Sequence, residues 1–63
     1  MKLYEKITFY RKKNGLSQEE LAEKIGVSRQ AVSKWETGDA LPEITKLKAL
    51  ADTFNVTVDF LLD

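Results

Sequence analysis

Four side chains with hydrogen-bonding heads, Arg29, Gln30, Ser33 and Lys34, fall together in the short stretch 28–37. If that stretch is a helix, its 3.6-residue turn sends Ala31, Val32 and Trp35 to one side. Arg29, Gln30, Ser33, Lys34 and Thr37 then project from the other. No acid stands on that outward face, and Glu36 falls toward its inner edge. A guanidinium can make two parallel hydrogen bonds to a guanine edge and a carboxamide can do the same with adenine, each good pair being worth about 1–3 kcal/mol of base discrimination. An ordinary solvated face in a chain this rich in Glu and Asp would be expected to include an outward acid. A merely solvated helix face nevertheless stays open as the other reading of Arg29, Gln30 and Lys34.

Other chemistries find little support. The chain has no cysteine and no histidine, which removes thiol and imidazole catalysis, disulfides and the usual zinc ligands. Glu19, Glu20 and Glu23 cluster, but near a helix start their ordinary role is favourable interaction with the helix dipole. Ser33 beside Lys34 lacks an oxyanion site to act with. Gly15, Gly26 and Gly38 are too widely spaced for a phosphate-cradling loop. An enzyme is therefore not expected, and neither is a metal or cofactor. No apolar run approaches the ~18 residues of a membrane span, and Met1-Lys2-Leu3-Tyr4-Glu5-Lys6 is too charged to begin a signal peptide. A cytoplasmic protein with no membrane partner is the expectation.

The elements that must position the outward face can be read from periodicity and caps. Sixty-three residues with 43% hydrophobic content allow one small core, so residues 1–63 read as a single domain. Leu3, Ile7 and Tyr10 make a stripe through 2–14, which Asn14-Gly15 ends. Ser17 and Glu20 form a Ser-x-x-Glu capping box opening a second helix to Ile25. Gly26-Val27 turns the chain and Ser28 caps the third helix. Residues 37–41 read as a loop, and Pro42 suits the first turn of a fourth helix carrying Ile44, Leu47, Leu50, Ala51 and Phe54. Thr57 caps a short fifth helix over 58–62. The fold class is all-α, a compact five-helix domain. A three-residue connection between the second and third helices forces a steep crossing, with Leu21, Ile25, Val27, Val32 and Trp35 as the wedge between them.

Ten basic residues balance ten acidic ones, but unevenly. Residues 1–13 carry an excess of four positive charges and residues 39–63 an excess of three negative ones. That polarity would orient the domain on a polyanion, although it is a weak signal alone.

The run from Leu16 to Glu36, with Ser17-Gln18-Glu19-Glu20-Leu21-Ala22 and Gly26-Val27-Ser28-Arg29-Gln30-Ala31-Val32, resembles the helix-turn-helix core of Cro/C1-type (Xre-like) repressors. The likeness continues through Pro42, the Leu47/Leu50/Ala51/Phe54 face and 56–62. It implies a lambda-repressor-like domain with a helix-turn-helix unit at 18–36. Helix 29–36 would enter the major groove of a double-stranded, palindromic operator, and the chain would be a homodimer at least on DNA. Transcriptional regulation, with repression the expected direction, is the function so implied. The different-class alternative is a protein-interaction or antitoxin-type module on the same fold, which an apolar or acidic outward face would favour.

The resemblance also distributes roles. Arg29, Gln30, Ser33 and Lys34 are the expected base-reading set. Gln18 at the start of the second helix, Ser28, Lys12, Lys13, Asn14 and Thr37 are the expected phosphate contacts. Gln18 has simple capping as its other reading, the lysines helix-end charge compensation, and Ser28 the cap. Arg11 and Glu36 are the expected salt bridge tying the first helix to the third. Many such repressors carry a basic residue in the loop after the third helix, whereas Thr37-Gly38-Asp39-Ala40-Leu41 has an acid and no base. Phosphate affinity on that flank should be weak. Val58, Phe60 and Leu62 are candidate two-fold contacts, with completion of the core as the competing reading. The chain stops directly after the fifth helix, which is compatible with its being the first part of a longer protein.

Overall fold

The computed structural model describes residues 1–63 as five helices and no strand: α1 Leu3–Lys13, α2 Gln18–Ile25, α3 Arg29–Thr37, α4 Ile44–Phe54 and α5 Val58–Leu62. Their ends follow from local chemistry. At α2 the Ser17 main-chain N–H donates to Glu20 Oε1 at 2.8 Å, and the Glu20 N–H donates to Ser17 Oγ at 3.0 Å. Two donors that no helix can satisfy internally are thereby paired. The Ser17 main-chain N–H, and then the Ser17 side chain, hold the Glu20 carboxyl below its ordinary value. A depressed carboxyl stabilises the fold above its unfolded pKa, and the contribution fades as pH falls through the folded one. Ser28 and Thr57 cap α3 and α5 by accepting from the N–H groups of Ala31 and Phe60.

One core joins all five helices. Ile7 from α1, Leu21, Ala22 and Ile25 from α2, Val32 and Trp35 from α3, Leu47, Leu50, Ala51 and Phe54 from α4, and Leu61 from α5 form a single buried cluster. Leu3, Tyr10 and Val27 are half-buried against it. The third helix packs on both α2 and α1, while α4 and α5 close the far side. Apolar burial of this kind is the main favourable term for a domain that can hide little surface.

Three features differ from expectation. Pro42 lies outside α4, because the extended Glu43 is the N-cap and the helix begins one residue later. Ile44 is 57% exposed rather than inward. It sits at the open first turn and at the rim of the stripe formed by Leu47, Leu50, Ala51 and Phe54, where no other helix covers it. Thr37 belongs to the last turn of α3, not to the loop, since Gly38 rather than Thr37 takes the left-handed conformation that ends the helix (φ 84°).

Lys6, read from sequence as part of a basic N-terminal segment, is buried. Its Nζ donates to the main-chain oxygens of Phe60 at 2.6 Å and Asp63 at 2.7 Å, and lies 4.7 Å from the centre of the Phe60 ring. An ammonium is placed at the carbonyl end of α5, where Phe60 O otherwise accepts only the long 3.4 Å bond from the Asp63 N–H, and that end favours a cation. Lys6→Met keeps the aliphatic stem and removes the donor. We expect it to cost about 1.5–3 kcal/mol, the range for hydrogen bonds to charged groups, read as a lower urea midpoint with an unchanged slope.

Candidate nucleic-acid interface

The turn between α2 and α3 sets the geometry. Gly26 ends α2 in the left-handed region (φ 84°), and its N–H donates to Ala22 O at 2.8 Å; the Val27 N–H donates to the same carbonyl at 3.0 Å. An L side chain at Gly26 would be strained there, so glycine is what lets the chain reverse within one turn. Val32, fully buried, and Trp35 then anchor α3 against the core. With that face fixed, the opposite one is fixed too. Arg29, Gln30, Lys34 and Thr37 are exposed and Ser33 is half-buried beside them. The first four residues of the outward set, Arg29, Gln30, Ser33 and Lys34, make no side-chain hydrogen bond within the chain. Their donors and acceptors are available to a ligand.

Glu36 occupies the edge of α3 next to Arg29 and Ser33, as its position one turn beyond Ser33 requires. Arg11 Nε donates to Glu36 Oε2 at 2.7 Å and Arg11 Nη2 to Oε1 at 3.1 Å. Arg11 Nη1 donates to Leu16 O at 2.9 Å, so one guanidinium braces α1, the following loop and α3. The side chains of the pair are 12% and 6% exposed. Two parallel bonds to a carboxylate fix direction as well as distance. Gln18 adds a link that the residue pattern did not reveal: its Nε2 donates to Glu36 Oε1 at 3.1 Å. Only the packing of α2 against the last turn of α3 brings these two together.

The other expected phosphate contacts divide. The Ser28 oxygen accepts from the Ala31 N–H at 3.1 Å, leaving its own O–H free to donate elsewhere. The Thr37 hydroxyl donates back to Lys34 O at 3.2 Å and must rotate to reach an anion. Asn14 Nδ2 donates to Tyr10 O at 2.7 Å, closing the end of α1 with one amide hydrogen to spare. Lys12 is exposed and borders the same shallow cleft as Glu36, on the α3 side of the molecule. Lys13 instead lies over the Tyr10 ring, 5.5 Å from its centre. Tyr10 packs against Phe54 and Phe60, so Lys13 is drawn toward α4 and α5, away from Lys12.

The three α5 residues do not share a face. Val58 is half-buried against the core, and the Phe60 ring stands edge-on to Tyr10 at 5.7 Å. Leu62 is exposed and lines a cleft of about 570 Å³ with Met1, Leu41 and Trp35, which neither Val58 nor Phe60 borders. Leu41 is the most exposed large apolar side chain at 79%, and sequence reasoning passed over it because it lies in a loop without periodicity.

Comparison with known proteins gives consistent matches. A family model described as helix-turn-helix matches residues 7–61. The HTH-type transcriptional activator BcrR of Enterococcus faecalis is 45% identical over 62 residues, covering 98% of this chain but only 30% of BcrR's own length. The P22 c2 repressor, solved in complex with a synthetic operator, superposes with a TM-score of 0.95 at 33% identity, covering 100% of this chain and 96% of that one. SinR of Bacillus subtilis, a master regulator for biofilm formation solved in complex with DNA, superposes with a TM-score of 0.88 at 37% identity, covering 97% and 98%. The fold is that of the P22 repressor-like DNA-binding domains.

Proposed function

The chain belongs to the helix-turn-helix family, and from that premise we propose that it binds double-stranded DNA sequence-specifically as a transcriptional regulator, with α3 in the major groove. The observation that carries this reading is the unpartnered outward face of Arg29, Gln30, Ser33 and Lys34 on a helix locked from behind by Val32 and Trp35. A rigid rod with a bare hydrogen-bonding flank fits a groove about 12 Å wide, where each base pair presents a distinct pattern. Arg29 and Gln30 have the side chains for bidentate contacts to guanine and adenine. Lys34 and Ser33 suit single contacts to base edges.

Gln18, Ser28, Lys12, Asn14 and Thr37 flank that face and are the proposed phosphate contacts, with Lys13 turned furthest from it. Two copies on a palindromic site would place their α3 helices about 34–36 Å apart, one turn of the duplex. Leu62, together with Leu41 and Met1, supplies more exposed apolar surface for a two-fold contact than Val58 or Phe60 does. Repression is the proposed direction where the operator overlaps a promoter. The P22 c2 protein is a repressor and BcrR an activator, so relatives of this chain stand on both sides of that choice. No helix is long and apolar enough to cross a membrane, and a cytoplasmic location is part of the proposal.

Selection from random duplex DNA tests the reading, repeated with Arg29→Ala and Gln30→Ala. Each variant should keep its melting temperature and lose preference at one or two positions of a half-site, by about 1–3 kcal/mol per position. An unchanged motif in both variants would place the readout elsewhere. Failure of the wild-type chain to enrich any sequence would remove sequence-specific binding altogether.

A further inference from the structure

We infer that Glu36 is a positioning residue for DNA binding, acting through Gln18: its carboxylate fixes the Gln18 side-chain amide so that the nitrogen bridges Glu36 and a DNA phosphate. The inference rests on the DNA-binding reading above. It starts from the convergence of two side chains on one nearly buried carboxylate, with Arg11 and Gln18 both donating to Oε1 at 3.1 Å and Arg11 to Oε2 at 2.7 Å.

A carboxylate has no hydrogen to give, so whatever faces it must be a donor. An amide flipped end for end would set its carbonyl oxygen against Glu36. The orientation of Gln18 is thus dictated by its partner rather than left to solvent. One of the two Nε2 hydrogens is taken by Glu36 and the other remains for a second acceptor. Gln18 opens α2 and is only half-buried, and the first turn of a helix leaves main-chain N–H groups without helical partners. An anion arriving there meets donors from both the backbone and Gln18. Arg11 neutralises Glu36, so the carboxylate can orient the amide without presenting a bare negative charge to the duplex.

The consequence runs against simple electrostatics. Removing an acid from a DNA-facing edge should tighten binding through charge alone. Here Glu36→Gln should weaken it, because a carboxamide at 36 accepts either orientation of Gln18, including the one that turns an oxygen to the phosphate. Affinity for a short duplex at fixed salt is to be measured for the wild-type chain, Gln18→Ala, Glu36→Gln and the double variant. Each single change should lower affinity roughly fivefold, the value of one hydrogen bond, and the double should bind no more weakly than Gln18→Ala alone. Tighter binding by Glu36→Gln, or full additivity in the double variant, overturns the inference.

Loss of the Arg11 pair can leave Glu36→Gln unfolded, so the wild-type side-chain amide spectrum supplies a second readout. The two Gln18 Nε2 protons should be widely separated in the free protein, and the less shifted one should move on adding duplex. Coincident protons that duplex leaves unmoved would also overturn the inference. If the wild-type chain bound no duplex, the DNA reading and this one would fall together. Binding with an additive double variant would end this one alone.

Discussion

Trp35→Ala is expected to remove most of the stability of the fold at ordinary temperature. Truncating a buried tryptophan costs about 3–5 kcal/mol through lost transfer energy and the cavity left behind. A chain of this length has about 3–9 kcal/mol of total stability at ordinary per-residue values. Trp35 is 6% exposed and sits where α3 meets the shared core, with α1 and the loop after α3 around it. Tyr4 stands against Gly38 at the same end of α3 but is itself exposed, so it does not replace the indole in the core. Helical circular dichroism against temperature is the measurement, with Trp35→Phe as a partner that keeps a ring in place. The phenylalanine variant should melt cooperatively at a reduced midpoint. An alanine variant with the wild-type midpoint would show that α3 is held by something else.

The second large effect concerns Arg11 and Glu36. Arg11→Met removes both guanidinium bonds and leaves a carboxylate of 6% side-chain exposure with Gln18 as its only remaining side-chain donor. Breaking one side of a buried pair costs about 3–5 kcal/mol, most of it the penalty for the stranded charge. If the penalty has that origin, removing the second charge should return stability. Arg11→Met with Glu36→Met should therefore unfold at higher urea than either single variant, although it has lost every bond of the network. A double variant weaker than both singles would mean that direct attraction, not desolvation, dominates. The experiment also separates folding from recognition: the double variant should fold but bind duplex poorly, because nothing orients Gln18.

The five helices were legible because each depends on information within a few residues. Ser17 with Glu20, Ser28 and Thr57 announce helix starts through bonds that span three positions, and Gly26 and Gly38 announce ends through a conformation other residues resist. The exposure of Arg29, Gln30 and Lys34 follows from the same short-range logic once Val32 and Trp35 are taken as inward. What stayed hidden depends on distance along the chain. Lys6 belongs to a residue type almost never fully buried, and its acceptors are 54 and 57 residues away. The bond from Gln18 to Glu36 spans 18 residues and exists only because two helices cross. Lys12 and Lys13 look equivalent as neighbours, yet one borders Glu36 and the other is captured by an aromatic cluster that α4 and α5 complete. The misplacement of Pro42 and Ile44 has the converse cause: local helix preference was right about the element and silent about which of its turns is roofed.

The Lys6 clamp has an implication for the order of the helices along the chain. Because Lys6 grips main-chain oxygen at residues 60 and 63, residues 1–2 and 62–63 are neighbours, and Met1, Lys2, Leu62 and Asp63 border one cleft. A brief glycine-rich bridge from 63 back to 1 would join them, and new ends could be opened in the exposed stretch around Asp39. Such a circular permutant would start at α4, run through α5 into α1, and finish with α2 and α3. The bonds of Arg11 and Gln18 to Glu36 and the turn at Gly26 would survive the cut. What this domain recognises is therefore a property of how its helices are stacked rather than of the order in which they are strung.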